Sequence, residues 1–311
     1  MSMNKMFKKV LAVVAAGAMT MGMAMPTFAA DGGKTTEAWI TKTYNTEVGK
    51  AEKFSFTAEQ VKTGTGIITT DAAVTMPEIS FTDTETGTIS KRSQITFPTY
   101  PEAGKYEYTV TETQTADPIV ANSEHEKMIM SQAEYTMDVY VTDGATGTEI
   151  SNIVVNKVKD DAGQTDTGKV DIGNTDTNKF NFTNTYVQEA GTGTKPTDPD
   201  PTYNENGSLK VSKAVVNANG TTTTPDAEFE FTATFAFPTG TNASTLGGIK
   251  AANGDTVTSV EGGTYTFKLK ANENMKFTGV PVGTTITVKE SAAKNYKGSA
   301  EITINGTKLT P

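Results

Sequence analysis

The sequence predicts an all-β protein: two tandem β-sandwiches joined by a short linker, following an N-terminal export signal. Three observations carry that prediction. Short runs of β-branched and aromatic residues alternate with polar ones at a period of two, as in FSFTAEQ (54–60), YEYTVTE (106–112) and FEFTATF (229–235). Turn-forming residues punctuate these runs, with 28 Gly and 12 Pro in 311 residues. No stretch after residue 31 has the apolar spacing of an amphipathic helix.

Residues 1–29 read as a signal peptide. Lys5, Lys8 and Lys9 precede an apolar run from Val10 to Met25, and PTFAAD follows, with Thr27 and Ala29 small enough to precede a cut after Ala29. A membrane-spanning helix is the competing reading, but the run is short and ends in a processing-like sequence instead of a basic stop-transfer segment. Cleavage removes three lysines and no acid, taking the charge from −9 to −12. Such a surface repels nucleic acid and anionic membranes, and the mature segment has no stretch for membrane insertion. The chain has no Cys, so a covalent staple in this secreted protein must come from chemistry other than a disulfide.

The first sandwich is expected over 30–187. The segment QEAGTGTKPTDPDPTYNENG (188–207) has no apolar periodicity, so 188–206 reads as an extended, solvated linker. Its Asp198, Asp200, Asn204 and Glu205 could offer oxygen ligands to calcium, but their spacing fits no calcium loop. The second sandwich is expected over 207–311.

Three polar residues break the strand pattern of the first sandwich. AWITKTY puts Lys42 on one face with Ile40 and Tyr44; YEYTVTE puts Glu112 with Tyr106, Tyr108 and Val110; KFNFTNTY puts Asn184 with Phe180, Phe182 and Tyr186. Each alone has a plain explanation in a snorkelling lysine, a strand end or a turn cap. In the second sandwich, GSLKVSKAVV places Lys213 with Leu209, Val211 and Val215, and TTITVKES places Glu290 with Ile286 and Val288. The lysine and the glutamate recur in the same order.

On these motifs, residues 37–187 resemble the streptococcal pilin isopeptide-linkage domain. GSLKVSK, FEFTATF and VPVGTTITVKE make residues 207–311 similar to the Cna B-like repeat modules of Gram-positive pilins and adhesins, with an immunoglobulin-like fold. That second match stops before the strand that should carry an asparagine. AEITING (300–306) turns Ile302 and Ile304 inward and leaves Asn305 as a turn residue, so the second sandwich is expected to lack its last strand.

The resemblance implies an autocatalytic cross-link, and elementary chemistry agrees. A lysine enclosed among apolar groups loses its charge and becomes a nucleophile, while an enclosed glutamic acid keeps its proton. Lys42 is thus the expected nucleophile, Asn184 the electrophile and Glu112 the acid–base group, with Lys213 and Glu290 in the corresponding second-domain roles. The reaction occurs once per chain, so the protein is not expected to be an enzyme, and neither cofactor nor metal is expected. The implied function is a structural subunit of a surface pilus, secreted and held at the cell wall, with other pilin subunits and a sortase as partners. A cell-wall-anchored adhesin or stalk is the alternative, able to bind a host surface ligand. ANSEHEKMIMSQ (121–132) is its one candidate insertion, otherwise a sandwich loop. No LPxTG-like motif follows residue 290, which suggests a fragment; no YPKN-like motif marks the lysine that would join the next subunit, and Lys169 and Lys179, candidates by their late position in the first domain, read more simply as ordinary surface lysines. A hydrolase is disfavoured because the single His125, the lack of Cys and the absence of GxSxG leave no catalytic set; a thioester adhesin would require a cysteine.

Overall fold

The structure is a computed structural model that describes residues 35–304 and 307–309. The expected signal peptide and Asn305 lie outside the described residues. The first sandwich comprises β1 (Trp39–Thr46), β2 (Glu52–Phe54), β3 (Phe56–Gln60), β4 (Ile79–Phe81), β5 (Gly87–Gln94), β6 (Gly104–Glu112), β7 (Glu126–Ile129), β8 (Glu134–Gly144), β9 (Gly147–Lys159), β10 (Thr165–Val170) and β11 (Asn181–Gln188). One sheet has the order β5-β1-β11-β7, the other β10-β9-β8-β6-β3, and β2 pairs with β4 as a ribbon. The alternation read from the sequence sets the core: Ile40 and Tyr44 of β1, Tyr106, Tyr108 and Val110 of β6, and Phe182 of β11 pack in one buried cluster.

The first and last strands of this sandwich lie side by side. β1 and β11 pair in parallel, with Lys42 opposite Phe182 and Tyr44 opposite Asn184. Both ends of the domain therefore meet in the middle of one sheet, flanked by β5 and β7. The segment 121–132 is not a plain loop. Its centre is β7, which pairs with β11 and buries Met128.

The linker also differs from the extended hinge expected. Asp200 caps a short helix, α1 (Pro201–Asn206), its side chain accepting the Thr202 N–H at 2.9 Å, with Pro201 in the first turn. Gly207 ends the helix at φ 61°, where a Cβ would come 2.4 Å from the carbonyl oxygen of Phe277. Tyr203, Thr192 and Glu189 are buried, and the Gln188–Ala190 backbone bonds to Val280 and Val282 of the second sandwich. The polar composition suggested a solvated coil because those partners lie some ninety residues away, beyond the reach of any local pattern.

The second sandwich comprises β12 (Leu209–Ser212), β13 (Phe229–Ala236), β14 (Lys250–Asn253), β15 (Thr256–Ser259), β16 (Thr264–Leu269), β17 (Asn274–Thr278) and β18 (Thr285–Glu290), followed by the hairpin β19 (Ile302–Ile304) and β20 (Thr307–Leu309). Its sheets run β12-β17-β14-β15 and β16-β13-β18 around a core of Phe229, Phe231, Phe235, Phe267 and Phe277. Here the first strand, β12, is an edge. Ile302 and Ile304 do not turn inward: each is 53% exposed, because among the described residues β19 pairs with β20 alone and no second sheet covers it.

Candidate isopeptide site

The three polar residues singled out in the first sandwich meet in its core. Lys42 and Asn184 come from the adjacent β1 and β11, and Glu112 from β6 in the facing sheet. The side chains of Lys42 and Glu112 are both 0% exposed, and Asn184 is likewise fully buried. Lys42 Nζ lies 2.7 Å from Glu112 Oε1, although the angle is not that of a hydrogen bond. The Asn184 amide Nδ2 donates to the same Glu112 Oε1 at 3.0 Å. One carboxyl oxygen thus lies against both the Lys42 amine and the Asn184 amide nitrogen.

The surroundings are aromatic. Lys42 Nζ sits 4.5 Å from the centre of the Phe54 ring, and Phe56 packs on Phe182 at 5.2 Å. Burial draws the Lys42 amine down from 10.5 to about 8, against the opposing pull of Glu112 and Asp161. Burial also pushes the Glu112 carboxyl up, and the nearby Lys42 and the Asn184 amide only partly offset it. Both shifts favour uncharged partners, and the free Glu112 Oε2, buried without a hydrogen bond, suits a neutral carboxyl.

The sequence did not reveal what holds Asn184. Its Oδ1 accepts the backbone N–H of Ser131 at 2.7 Å, and its Nδ2 also approaches the Met130 sulfur at 3.4 Å. Ser131 lies between β7 and β8 and is buried; its hydroxyl donates to Asp161 Oδ1 at 2.5 Å. Asp161 Oδ1 also accepts the N–H of Thr183, one residue before Asn184. Asp161 sits in the turn between β9 and β10, and SQA and DDAG carry no signal that would join them to Asn184.

The second-domain pair also meets, but in the open. Lys213 Nζ contacts Glu290 Oε1 at 2.6 Å, with side chains 14% and 25% exposed, and lies 4.2 Å from the Phe229 ring centre. Among the described residues no asparagine side chain is hydrogen-bonded to either. Of the remaining residues noted in the sequence, Lys169 and Lys179 are exposed, Glu205 bonds Lys210, and His125 Nδ1 lies 2.7 Å from Glu189 Oε2.

Residues 38–187 match the family model of the Spy0128-like isopeptide containing domain, and residues 207–310 match a domain of unknown function, DUF7601. No curated protein matches the chain. Solved structures similar to it include three major pilins of Streptococcus pyogenes. The T3.2 pilin is 22% identical, with 84% of each chain covered and a TM-score of 0.36. The T-13 pilin is 20% identical, covering 89% of this chain and 90% of that one at a TM-score of 0.35. A third major pilin is 19% identical, with 83% of each chain covered and a TM-score of 0.38.

Proposed function

We propose that this chain, whose residues 38–187 form a Spy0128-like isopeptide containing domain, is a structural subunit of a bacterial surface pilus, clamped by an amide that it makes itself between Lys42 and Asn184. The observation that carries this reading is the enclosed triad, with Glu112 Oε1 against both Lys42 Nζ and Asn184 Nδ2. The neutral Lys42 amine attacks Asn184 Cγ; the carbon becomes tetrahedral and its oxygen gains the electron pair. Glu112 relays a proton from the attacking nitrogen to Nδ2, which leaves as ammonia while the carbonyl re-forms. The fold supplies proximity, so a sluggish amide exchange becomes feasible without a cofactor. It happens once per chain, which makes the protein a self-modifying structural element and not a turnover enzyme.

The position of the bond suggests its use. It ties β1 to β11, the first and last strands of the sandwich, so tension along the chain crosses an amide before it can peel strands apart. Secretion, attachment at the wall and assembly with further pilin subunits through a sortase follow from this reading. An adhesin or stalk would use the same clamp, but the segment 121–132, its one candidate insertion, contributes a strand to the sheet. For the second sandwich we propose that Lys213 and Glu290 are nucleophile and acid for a strand bearing asparagine alongside β12.

Intact mass tests the clamp. The mature protein should weigh about 17 Da less than its sequence, one ammonia per bond. Lys42→Ala and Asn184→Ala should restore the full mass, and Glu112→Ala should leave most of the folded protein unreacted. A full mass in well-folded wild type, or a loss that survives Lys42→Ala, would overturn the assignment.

A further inference from the structure

We propose that the backbone N–H of Ser131 is the oxyanion donor of the Lys42–Asn184 reaction, and that Asp161 is the positioning residue that holds it there. This rests on the clamp reading and extends it to two residues outside the triad. When Lys42 Nζ adds to Asn184 Cγ, the negative charge goes to Oδ1. Nothing in the triad meets that charge, because Glu112 faces Nδ2 and Nζ. Oδ1 accepts the Ser131 N–H at 2.7 Å, within the range of an oxyanion donor and in a site closed to water.

An amide in a connection between strands is not rigid by itself, and this one is pinned from two sides. The Ser131 hydroxyl donates to Asp161 Oδ1 at 2.5 Å and also accepts the N–H of Ala133 at 3.1 Å, closing the turn on itself. The Asp161 carbonyl accepts the N–H of Gln132 at 3.0 Å. The same Asp161 Oδ1 that receives Ser131 receives the Thr183 N–H at 2.8 Å. Thr183 lies just beyond the β7 pairing, which begins at Thr185, so its N–H is free for Asp161. A single carboxylate oxygen therefore fixes the donor and the strand carrying the acceptor. Shifts of an ångström in such a pair cost about a hundredfold in rate.

Asp161 has a second, purely electrostatic effect that works differently. Its charge favours the protonated forms of both Lys42 and Glu112. Removing charge alone should slide the pH–rate profile toward lower pH and leave its maximum in place, whereas loss of positioning should lower the maximum.

The experiment is cell-free synthesis of the chain, sampled over time into acid and weighed, at a series of pH values. Wild type reports on the clamp itself, and the variants report on this inference. Ser131→Ala and Asp161→Ala should each lower the maximal rate about tenfold or more, and the double variant should go no lower, since both cut one network. Asp161→Asn keeps an acceptor oxygen without the charge; it should retain most of the maximal rate with the profile moved to lower pH. Folding is checked by circular dichroism in a Lys42→Met background, where no variant can react. Wild-type maxima in folded Ser131→Ala and Asp161→Ala would overturn the proposal, as would losses that multiply in the double variant. If Asp161→Ala does not fold, Ser131→Ala decides alone, and an unchanged rate there is fatal to the idea.

Discussion

The two sandwiches carry the same lysine–glutamate pair in two conditions. In the first, Lys42 sits on a strand with a neighbour on each side, and nothing of its side chain is exposed. In the second, Lys213 follows an edge strand and both partners reach solvent. The contacts are nearly equal in length, 2.7 and 2.6 Å, so distance does not separate them. Enclosure does. Burial around Lys42 and Glu112 draws the amine down and pushes the carboxyl up, both toward the neutral pair that the proposed reaction needs. In the first domain β1 is flanked by β5 and by β11, the strand that also brings Asn184. On the proposed reading, the strand that carries the electrophile also helps to enclose the nucleophile.

The largest effect should come from breaking the enclosed member of the comparison. Asn184→Ala leaves the chain from 42 to 184 unclosed, and by analogy with a disulfide the loss is about 4–5 kcal/mol of stability in denaturant unfolding. It should also create a pH dependence that the cross-linked protein lacks. With the amine free, Lys42 titrates near 8 in the folded state and 10.5 in the unfolded state, so between those values the unfolded state binds more protons. Stability of Asn184→Ala should therefore climb as pH rises from about 8 to 10.5 and be flat below. A stability no lower than that of wild type would mean that the bond does not constrain the unfolded chain.

A second buried glutamate sharpens the point about satisfaction. Glu112 leaves Oε2 without a partner, as a proton shuttle can. Glu189, 1% exposed at the junction of the sandwiches, leaves nothing over: Oε1 accepts from Tyr203 (2.6 Å), Ser208 (2.7 Å) and the Gly279 N–H (2.5 Å), and Oε2 meets His125. Its role is architectural, fixing α1, β12 and the approach to β18 against the end of β11. Glu189→Ala strands three donors, and a loss of about 1–3 kcal/mol is expected, with the 188–206 segment becoming the first site of proteolytic cleavage. Limited proteolysis that still begins elsewhere would show that the junction is held by its backbone bonds alone.

How much of this was legible follows from the range of each signal. The period of two placed Lys42, Glu112 and Asn184 on core faces, since alternation is local and each strand carries its own. It could not place Ser131 or Asp161, which sit in turns and act through hydrogen bonds to a strand 53 and 22 residues away. The linker failed for a similar reason: Gly, Pro and Asp describe a coil unless distant donors converge on one carboxylate, as they do on Glu189. The inward turn expected of Ile302 and Ile304 failed because alternation assumes a sheet to face, and among the described residues β19 has only β20.

The smallest effect should come from the open pair. Lys213→Ala removes a partly exposed contact, and a change within about 1 kcal/mol is expected, with the mass deficit of the protein unaltered. The comparison can then be broken deliberately by giving β12 the neighbour that β1 has. A synthetic peptide spanning 179–188, KFNFTNTYVQ, offers an asparagine on the apolar face of a strand, and β12 has an unpaired edge to receive it. If the difference between the sandwiches is enclosure and a missing electrophile, the peptide should slowly become covalently attached, with about 17 Da lost and Lys213 identified by peptide mapping. Lys213→Ala should abolish the adduct and Glu290→Gln should reduce it. A peptide that binds and protects β12 from hydrogen exchange without reacting would separate the two conditions, showing that a strand alone does not make Lys213 a nucleophile.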